Sequence, residues 1–223
     1  MGRLFSYFDP GRPGFLRRMW PLAKGGCAMV LLLTCLGLGL AARLPAVRYI
    51  AIQTLAQSDQ DELALRLAAD LARDEPQVWH YHRVQAWLLR RLDRIEEHLA
   101  IYDTAVEALP ELWWPYSHRC FYHALFAEEV TPSVLADCDR ALALEPDWPS
   151  LAFERRGLAR TLAGDRAGAM ADFRAALDNA GPRDDTNRRR RELGAVAQWL
   201  ATLESGGQPF DAATMEQVRD RYR

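Results

Sequence analysis

Four prolines, Pro76, Pro110, Pro146 and Pro182, follow one another at spacings of 34, 36 and 36 residues, and each closes a stretch of helical character. The phrases ahead of them read LALRLAADLARDEP, HLAIYDTAVEALP, VLADCDRALALEP and AMADFRAALDNAGP. Their apolar residues recur at i, i+3, i+4 and i+7, the period of an amphipathic helix, and proline stops a helix just beyond its end. A second helical stretch precedes each phrase across a short polar turn such as Ala163-Gly164-Asp165-Arg166. A period of this length marks stacked supersecondary units, none of which can bury its apolar face alone.

The pattern resembles the tetratricopeptide repeat (TPR), most closely in the last unit. There Phe153, Gly157, Gly164, Ala169, Phe173, Ala176 and Pro182 stand where that family places its aromatic, small, turn and terminal residues. Ala86, Cys120 and Gly157 hold the small position of successive units, Tyr102, Cys138 and Phe173 the second aromatic position, and Ala105, Ala141 and Ala176 the late small one. The middle unit departs, with Cys for the aromatic and a longer turn, Glu128-Glu129-Val130-Thr131, before a helix expected to start with Thr131 as cap and Pro132 at its first position.

The expected fold is all-α: a single N-terminal transmembrane helix followed by a TPR-type helical-hairpin solenoid with a C-terminal capping helix. Residues 43–76 form a degenerate hairpin serving as inner cap, with helices at Val47–Ala56 and Asp61–Arg73. Three repeats follow at 77–110, 111–146 and 147–182, then a capping helix and tail over 183–223. The capping helix is expected from Asp184-Asp185-Thr186 to about Leu203, and a tail helix from Asp211 to Tyr222. The arginine run Arg188 to Arg191 lies in the first turns of the cap, where the helix dipole disfavours cations and Asp184 and Asp185 can compensate. It reads either as a solvated face or as a site for an acidic partner or lipid head group.

Charge is unevenly distributed. Five of the 28 basic residues (Arg3, Arg12, Arg17, Arg18, Lys24) precede Arg43 but only one of the 30 acidic ones, Asp9, so the remainder carries a net −6. That balance argues against a nucleic-acid surface, which needs concentrated positive charge. Lys24 is the only lysine among the 28 basic residues, a bias of GC-rich bacterial coding. Residues 25–42, GGCAMVLLLTCLGLGLAA, carry no charge over 18 positions, within the roughly 17–25 a membrane-crossing helix needs. Trp20, Arg17, Arg18 and Lys24 form a collar on one side, and the positive-inside rule then puts residues 1–24 in the cytoplasm. The expected location is the bacterial inner membrane, single-pass, with the repeat domain periplasmic. A signal peptide cleaved after Gly39-Leu40-Ala41 would export the same domain, but 24 residues is a long lead for one. A lipoprotein is disfavoured by Thr34 before Cys35, and a buried cytoplasmic core helix would leave the basic collar unexplained.

Catalytic motifs are missing: there is no G-x-S-x-G, P-loop or G-x-G-x-x-G. His80 and His82 point to different faces of a helix. His118, Cys120 and His123 are the nearest approach to a ligand set, but a metal-binding helix favours an i, i+4 pair and no C-x-x-C-H occurs. Neither enzyme activity, metal nor cofactor is expected. Cys27 and Cys35 lie in the apolar span. Cys120 and Cys138 face each other across one hairpin, and stand either as a disulfide, which an oxidising compartment permits, or as two reduced core thiols.

The TPR resemblance places a partner groove on the first helix of each hairpin. Its positions are His80, Arg83, Trp87, Arg90 and Arg91 in the first unit, Trp114, Phe121 and Leu125 in the second, and Leu151, Glu154, Leu158 and Thr161 in the third. Tryptophan and arginine dominate binding hot spots, and the mixture suits an extended peptide with apolar anchors and acidic groups. Packing between hairpins is the competing use of Trp87 and Trp114. The asparagines by which one TPR subclass clamps a C-terminal carboxylate have no match.

The function expected is therefore a membrane-anchored scaffold or adaptor that binds another envelope protein, as assembly factor or accessory subunit of a membrane complex. The lipid bilayer is met through residues 25–42. Two alternatives are a cofactor-handling component of haem or cytochrome assembly, and a structural subunit acting mainly through the span, whose Thr34, Gly37 and Gly39 could pack against partner helices.

Overall fold

The computed structural model describes residues 44–126, 130–144 and 146–222. The span at 25–42, its basic collar, Cys27 and Cys35, and Glu128 and Glu129 of the longer turn lie outside them. Among the described residues no helix is long and apolar enough to cross a membrane. The chain divides into two units, 1–51 and 52–223. The described part of the first is residues 44–51, which include the opening turns of α1 (Pro45–Gln57).

In the second unit α2 (Asp61–Asp74) precedes three antiparallel hairpins, α3/α4 (Trp79–Arg91, Ile95–Ala108), α5/α6 (Trp113–Phe126, Pro132–Ala143) and α7/α8 (Pro149–Leu162, Arg166–Asp178). A 3-10 turn at Pro182–Asp184 leads into α9 (Asn187–Glu204), which packs on α8. The short α10 (Ala212–Tyr222) ends the chain and returns to α5. Consecutive helices from α2 to α9 touch, and α5 also touches α7, so the first helices of the second and third hairpins lie side by side. This is the nearest-neighbour geometry of a helical-repeat array.

Three interhelix turns use a left-handed residue where the chain reverses: Asp59 between α1 and α2, Asp93 between α3 and α4, and Gly164 between α7 and α8, with φ of 55°, 55° and 84°. Asp165 caps α8 by accepting from Gly168 N at 2.9 Å, and Thr186 caps α9 by accepting from Arg189 N at 3.1 Å. Thr131 departs from expectation. It stands at the N-cap of α6, but its hydroxyl meets Ser133 Oγ at 2.8 Å instead of a backbone N–H.

The repeat positions are core positions. Tyr102, Cys138 and Phe173 are buried, as are Ala105, Ala141 and Ala176. Gly157 shows why the small position must be small: a Cβ there would lie 2.7 Å from two ring carbons of Phe173, which is itself fully buried. Gly157→Ala should destabilise the domain by about 1–3 kcal/mol, the usual cost of forcing a methyl into a packed interface. Urea unfolding measures it, and an unchanged midpoint would mean that α7 and α8 separate freely.

One feature of the stack has no counterpart in the repeat pattern. Trp113 Nε1 donates to Asp147 at 2.9 Å, and Trp148 Nε1 donates to Asp184 at 2.9 Å, so the tryptophan entering one hairpin is fastened to the loop that begins the next. Trp113, Trp148, Asp147 and Asp184 are spaced like the repeat itself. That spacing is the signal in the sequence, carried by polar and indole positions that lie outside the apolar and small pattern of the repeat.

Candidate interaction site

The first helix of each hairpin presents a different surface. On α3, His82, Ala86, Leu88 and Leu89 are buried but Trp87 is 38% exposed, and the Arg91 guanidinium lies 4.9 Å from its ring centroid. Arg91 is in turn held by Asp61 at 3.0 Å and Asp59 at 3.4 Å, bonds that position it over the indole. Arg83 Nη2 donates to His80 Nδ1 at 3.0 Å. Burial, with Arg83 beside it, pushes the His80 pKa down, so the ring is the neutral acceptor. Arg90 is half-buried on the same helix. An indole carrying a guanidinium, with further arginines one turn away, offers an apolar anchor flanked by donors for carboxylates.

Trp114, on α5, is placed differently. It is half-buried, stacked 3.9 Å from Trp113 and edge-on to Trp148 at 6.0 Å. Inter-hairpin packing accounts for Trp114, whereas Trp87 is exposed on α3.

Phe121 and Leu125 require a correction. Expected to line an open groove, they are 2% and 0% exposed. They belong to a buried cluster with Ala124, Leu158, Met215 and Val218. Val134 and Cys138 of α6, Leu158 and Ala159 of α7, and Met215 and Val218 of α10 complete that cluster. In the third unit Glu154 and Thr161 are also buried, and Leu151 is half-buried. Glu154 faces Arg189 of the cap at 2.6 Å.

The arginine run is likewise neither free nor uniformly solvated. Arg189 is 5% exposed and meets Glu154, Asp184 at 3.0 Å and Glu192 at 2.9 Å. Arg188 pairs with Glu192 and Arg190 with Asp185. Glu154 is pulled upward by burial, against the opposing pull of Arg189.

His118, Cys120 and His123 do not act as a set. His118 is buried with Nδ1 2.8 Å from the Trp114 carbonyl and 3.0 Å from Arg155, and burial followed by Arg155 pushes its pKa far down. Cys120 is joined to Cys138, with Cα atoms 5.3 Å apart. Among the described residues no group of three or more His, Cys, Asp or Glu side chains is placed to hold a metal ion. The bridge occupies the positions where the third repeat sets Gly157 against Phe173, so it substitutes for the missing aromatic. It spans 18 residues of sequence; by the chain-entropy account, closing a loop of that size stabilises by about 3 kcal/mol. Cys138→Ser, or reduction of the native chain, should lower stability by about that amount; an equal urea midpoint with and without reductant would show the bridge contributes nothing.

Comparison with known proteins rests on shape alone. No family model matches the sequence, and no curated protein matches it. Among solved structures, one similar chain is PilW, described as a widely conserved type IV pilus biogenesis factor. It superposes with a TM-score of 0.54 at 15% identity, over 72% of this chain and 76% of that one. Another is a MamA RS-1 ArsTM double mutant, with a TM-score of 0.54 at 14% identity, over 79% of this chain and 97% of that one. Both are TPR-like helical-repeat proteins. The fold is therefore of the TPR type. At such identities the likeness carries the architecture and no residue roles.

Proposed function

We propose that the protein is a non-catalytic adaptor, anchored in a bacterial inner membrane by residues 25–42, whose repeat domain faces the periplasm and binds another envelope protein. The observation that carries this reading is the open aromatic and basic face of α3, where Trp87 is 38% exposed beside Arg91. Large aromatics of a short solenoid are recruited to its core first, so one held at the surface under a guanidinium is available for a partner. The likeness to a pilus biogenesis factor supports a place in envelope assembly. The bridge between Cys120 and Cys138 supports an oxidising compartment. A partner segment suited to α3 would bring one apolar anchor for the indole and carboxylates for Arg83 and Arg91.

Capture from detergent-solubilised membranes tests the proposal. The intact chain should retain a defined partner. Trp87→Ala should reduce retention at least tenfold while leaving the far-ultraviolet spectrum unchanged, because the side chain supports no core. Undiminished capture would remove α3 from the interface, and a monodisperse chain retaining nothing would remove the adaptor role.

A further inference from the structure

Large apolar side chains left exposed among the described residues are unevenly placed. They are Leu44, Val47, Ile50, Leu63, Trp87 and Leu112, and half of them fall at the start of α1. There Leu44 is 54%, Val47 39% and Ile50 65% exposed. The Leu44 carbonyl accepts from Val47 N and Arg48 N, both at 3.0 Å, which locks Leu44 to the helix. At about 100° per residue, Leu44, Ala46, Val47 and Ile50 share one arc of roughly 160°, and these are the exposed side chains of residues 44–51. The same side of α1 turns polar farther on, where Gln53, Thr54 and Gln57 are exposed.

A helix in water is built otherwise. α2, of 14 residues against 13, carries Asp61, Glu62, Arg66, Asp70, Arg73 and Asp74, whereas Arg48 is the single charge of α1. No acidic residue occurs between Asp9 and Asp59, a stretch that holds Arg12, Arg17, Arg18, Lys24, Arg43 and Arg48. An apolar arc in a basic, acid-free setting suits a helix lying in a head-group layer, where its apolar side enters the acyl boundary and no carboxylate meets the phosphates. Chain length limits what can cover the arc. Only Arg43 separates Leu44 from the uncharged stretch 25–42, and two residues reach at most about 7 Å. Where that stretch crosses a bilayer, Leu44 falls within reach of the head-group layer, roughly 5–8 Å deep on each side. The helix from Leu44 to Ile50 adds about 9 Å. Standing along the membrane normal, it would carry Ile50 out of the layer into water; lying along the surface, it keeps all three side chains within.

We propose that the first two turns of α1 are a second membrane contact, in which Leu44, Val47 and Ile50 lie in the outer head-group layer of the bilayer that residues 25–42 cross. The occupant of this face is a phospholipid surface. The proposal rests on the reading of residues 25–42 as the anchor and adds the course of the chain where it leaves the bilayer.

The test uses the full chain with Cys27→Ser and Cys35→Ser, placed one chain per disc in lipid nanodiscs of phosphatidylethanolamine and phosphatidylglycerol. Leu44→Cys, Val47→Cys and Ile50→Cys, made one at a time, carry an environment-sensitive fluorophore. Cys120 and Cys138 are joined and offer no competing thiol, and substitutions at exposed positions spare the core. At all three positions a lipid bearing a nitroxide on its head group should quench the label at least twofold. Aqueous iodide should quench each label less than half as well as it quenches the free dye. Nitroxide quenching that fades from Leu44 to Ile50, with iodide reaching the Ile50 label, means a helix standing off the membrane and overturns the proposal. Labels shielded from iodide only when discs hold two chains mean that a second copy covers the face, and overturn it equally. Alkaline extraction of native membranes separates the two readings. A chain released by it sinks the anchor and this proposal with it; a chain retained, with the Val47 and Ile50 labels open to iodide, sinks this proposal alone.

Discussion

Arg189→Ala is expected to cost about 3–5 kcal/mol of stability, the range for removing one partner from a buried ion pair. Its guanidinium is 5% exposed and reaches Glu154 at 2.6 Å, Asp184 at 3.0 Å and Glu192 at 2.9 Å. Glu154 and Asp184 are 3% and 4% exposed. Asp184 would keep Trp148, Ser150 and the Gly181 N–H as donors. Glu154 has no comparable reserve and would be left as a buried carboxylate, forced to take up a proton. The double variant Arg189→Ala with Glu154→Gln should therefore recover part of the loss. Urea unfolding of the three chains measures this. A single-variant cost below about 1 kcal/mol would place the network in the class of solvent-exposed pairs.

Acidification is expected to destabilise the domain well above the carboxylate range. His98 is fully buried. Its Nδ1 donates to the Ala86 carbonyl at 2.8 Å, while Nε2 has no hydrogen-bond partner and the ring is set edge-on against Tyr122 at 4.4 Å and Tyr102 at 5.2 Å. A proton on Nε2 would be a buried, unsolvated donor. Burial pushes its pKa down to about 4, against the opposing Ala86 bond and with help from Arg90 and His123. In the unfolded chain the same ring titrates near 6.5. Its contribution is thus complete above pH 6.5 and is lost as pH falls toward 4, where the cost reaches about 3 kcal/mol. His118, buried beside Arg155, adds in the same direction. Denaturant midpoints at pH 7, 6, 5 and 4 should fall steadily, and His98→Gln, which can keep the Ala86 bond, should flatten the slope by about one proton. Constant stability from pH 7 to 5 would show that both rings are protonated in place.

These two sites also mark where the sequence stopped being readable. Periodicity identified the hairpins because Ala105, Ala141 and Ala176, or Tyr102 and Phe173, perform the same packing task in each repeat, and a repeated task leaves a repeated letter. His98 replaces the apolar residues, Val134 and Ala169, found at its position in later units. No period announces a substitution whose justification is a carbonyl on the neighbouring helix. Arg189 sits in a run of four arginines that resembles a solvated face, and what singles it out is Glu154, 35 residues earlier. The repeat pattern puts Phe121 and Leu125 in an open groove, whereas both are buried. Part of what packs in their cluster comes from α10, 94 residues later as counted by the Arg219 bond, and a two-residue apolar contact is too short to leave a pattern. Cys120 and Cys138 were paired by their opposed positions, but spacing alone could not choose between thiols and a bridge.

The tryptophan fastenings have a mechanical consequence. Trp113 ties the second repeat to Asp147, and Trp148 ties the third to Asp184, whereas Trp79, at the head of the first, meets the ring of His118 edge-on at 5.1 Å. The joints differ in kind: the outer two each carry a directional indole bond, while the first is built from ring contacts, Tyr102 stacked on Tyr122 and His98 edge-on to it, with the Arg119–Asp103 pair beside them. Sliding one hairpin past the next must therefore break an oriented bond at the outer joints and part aromatic faces at the first.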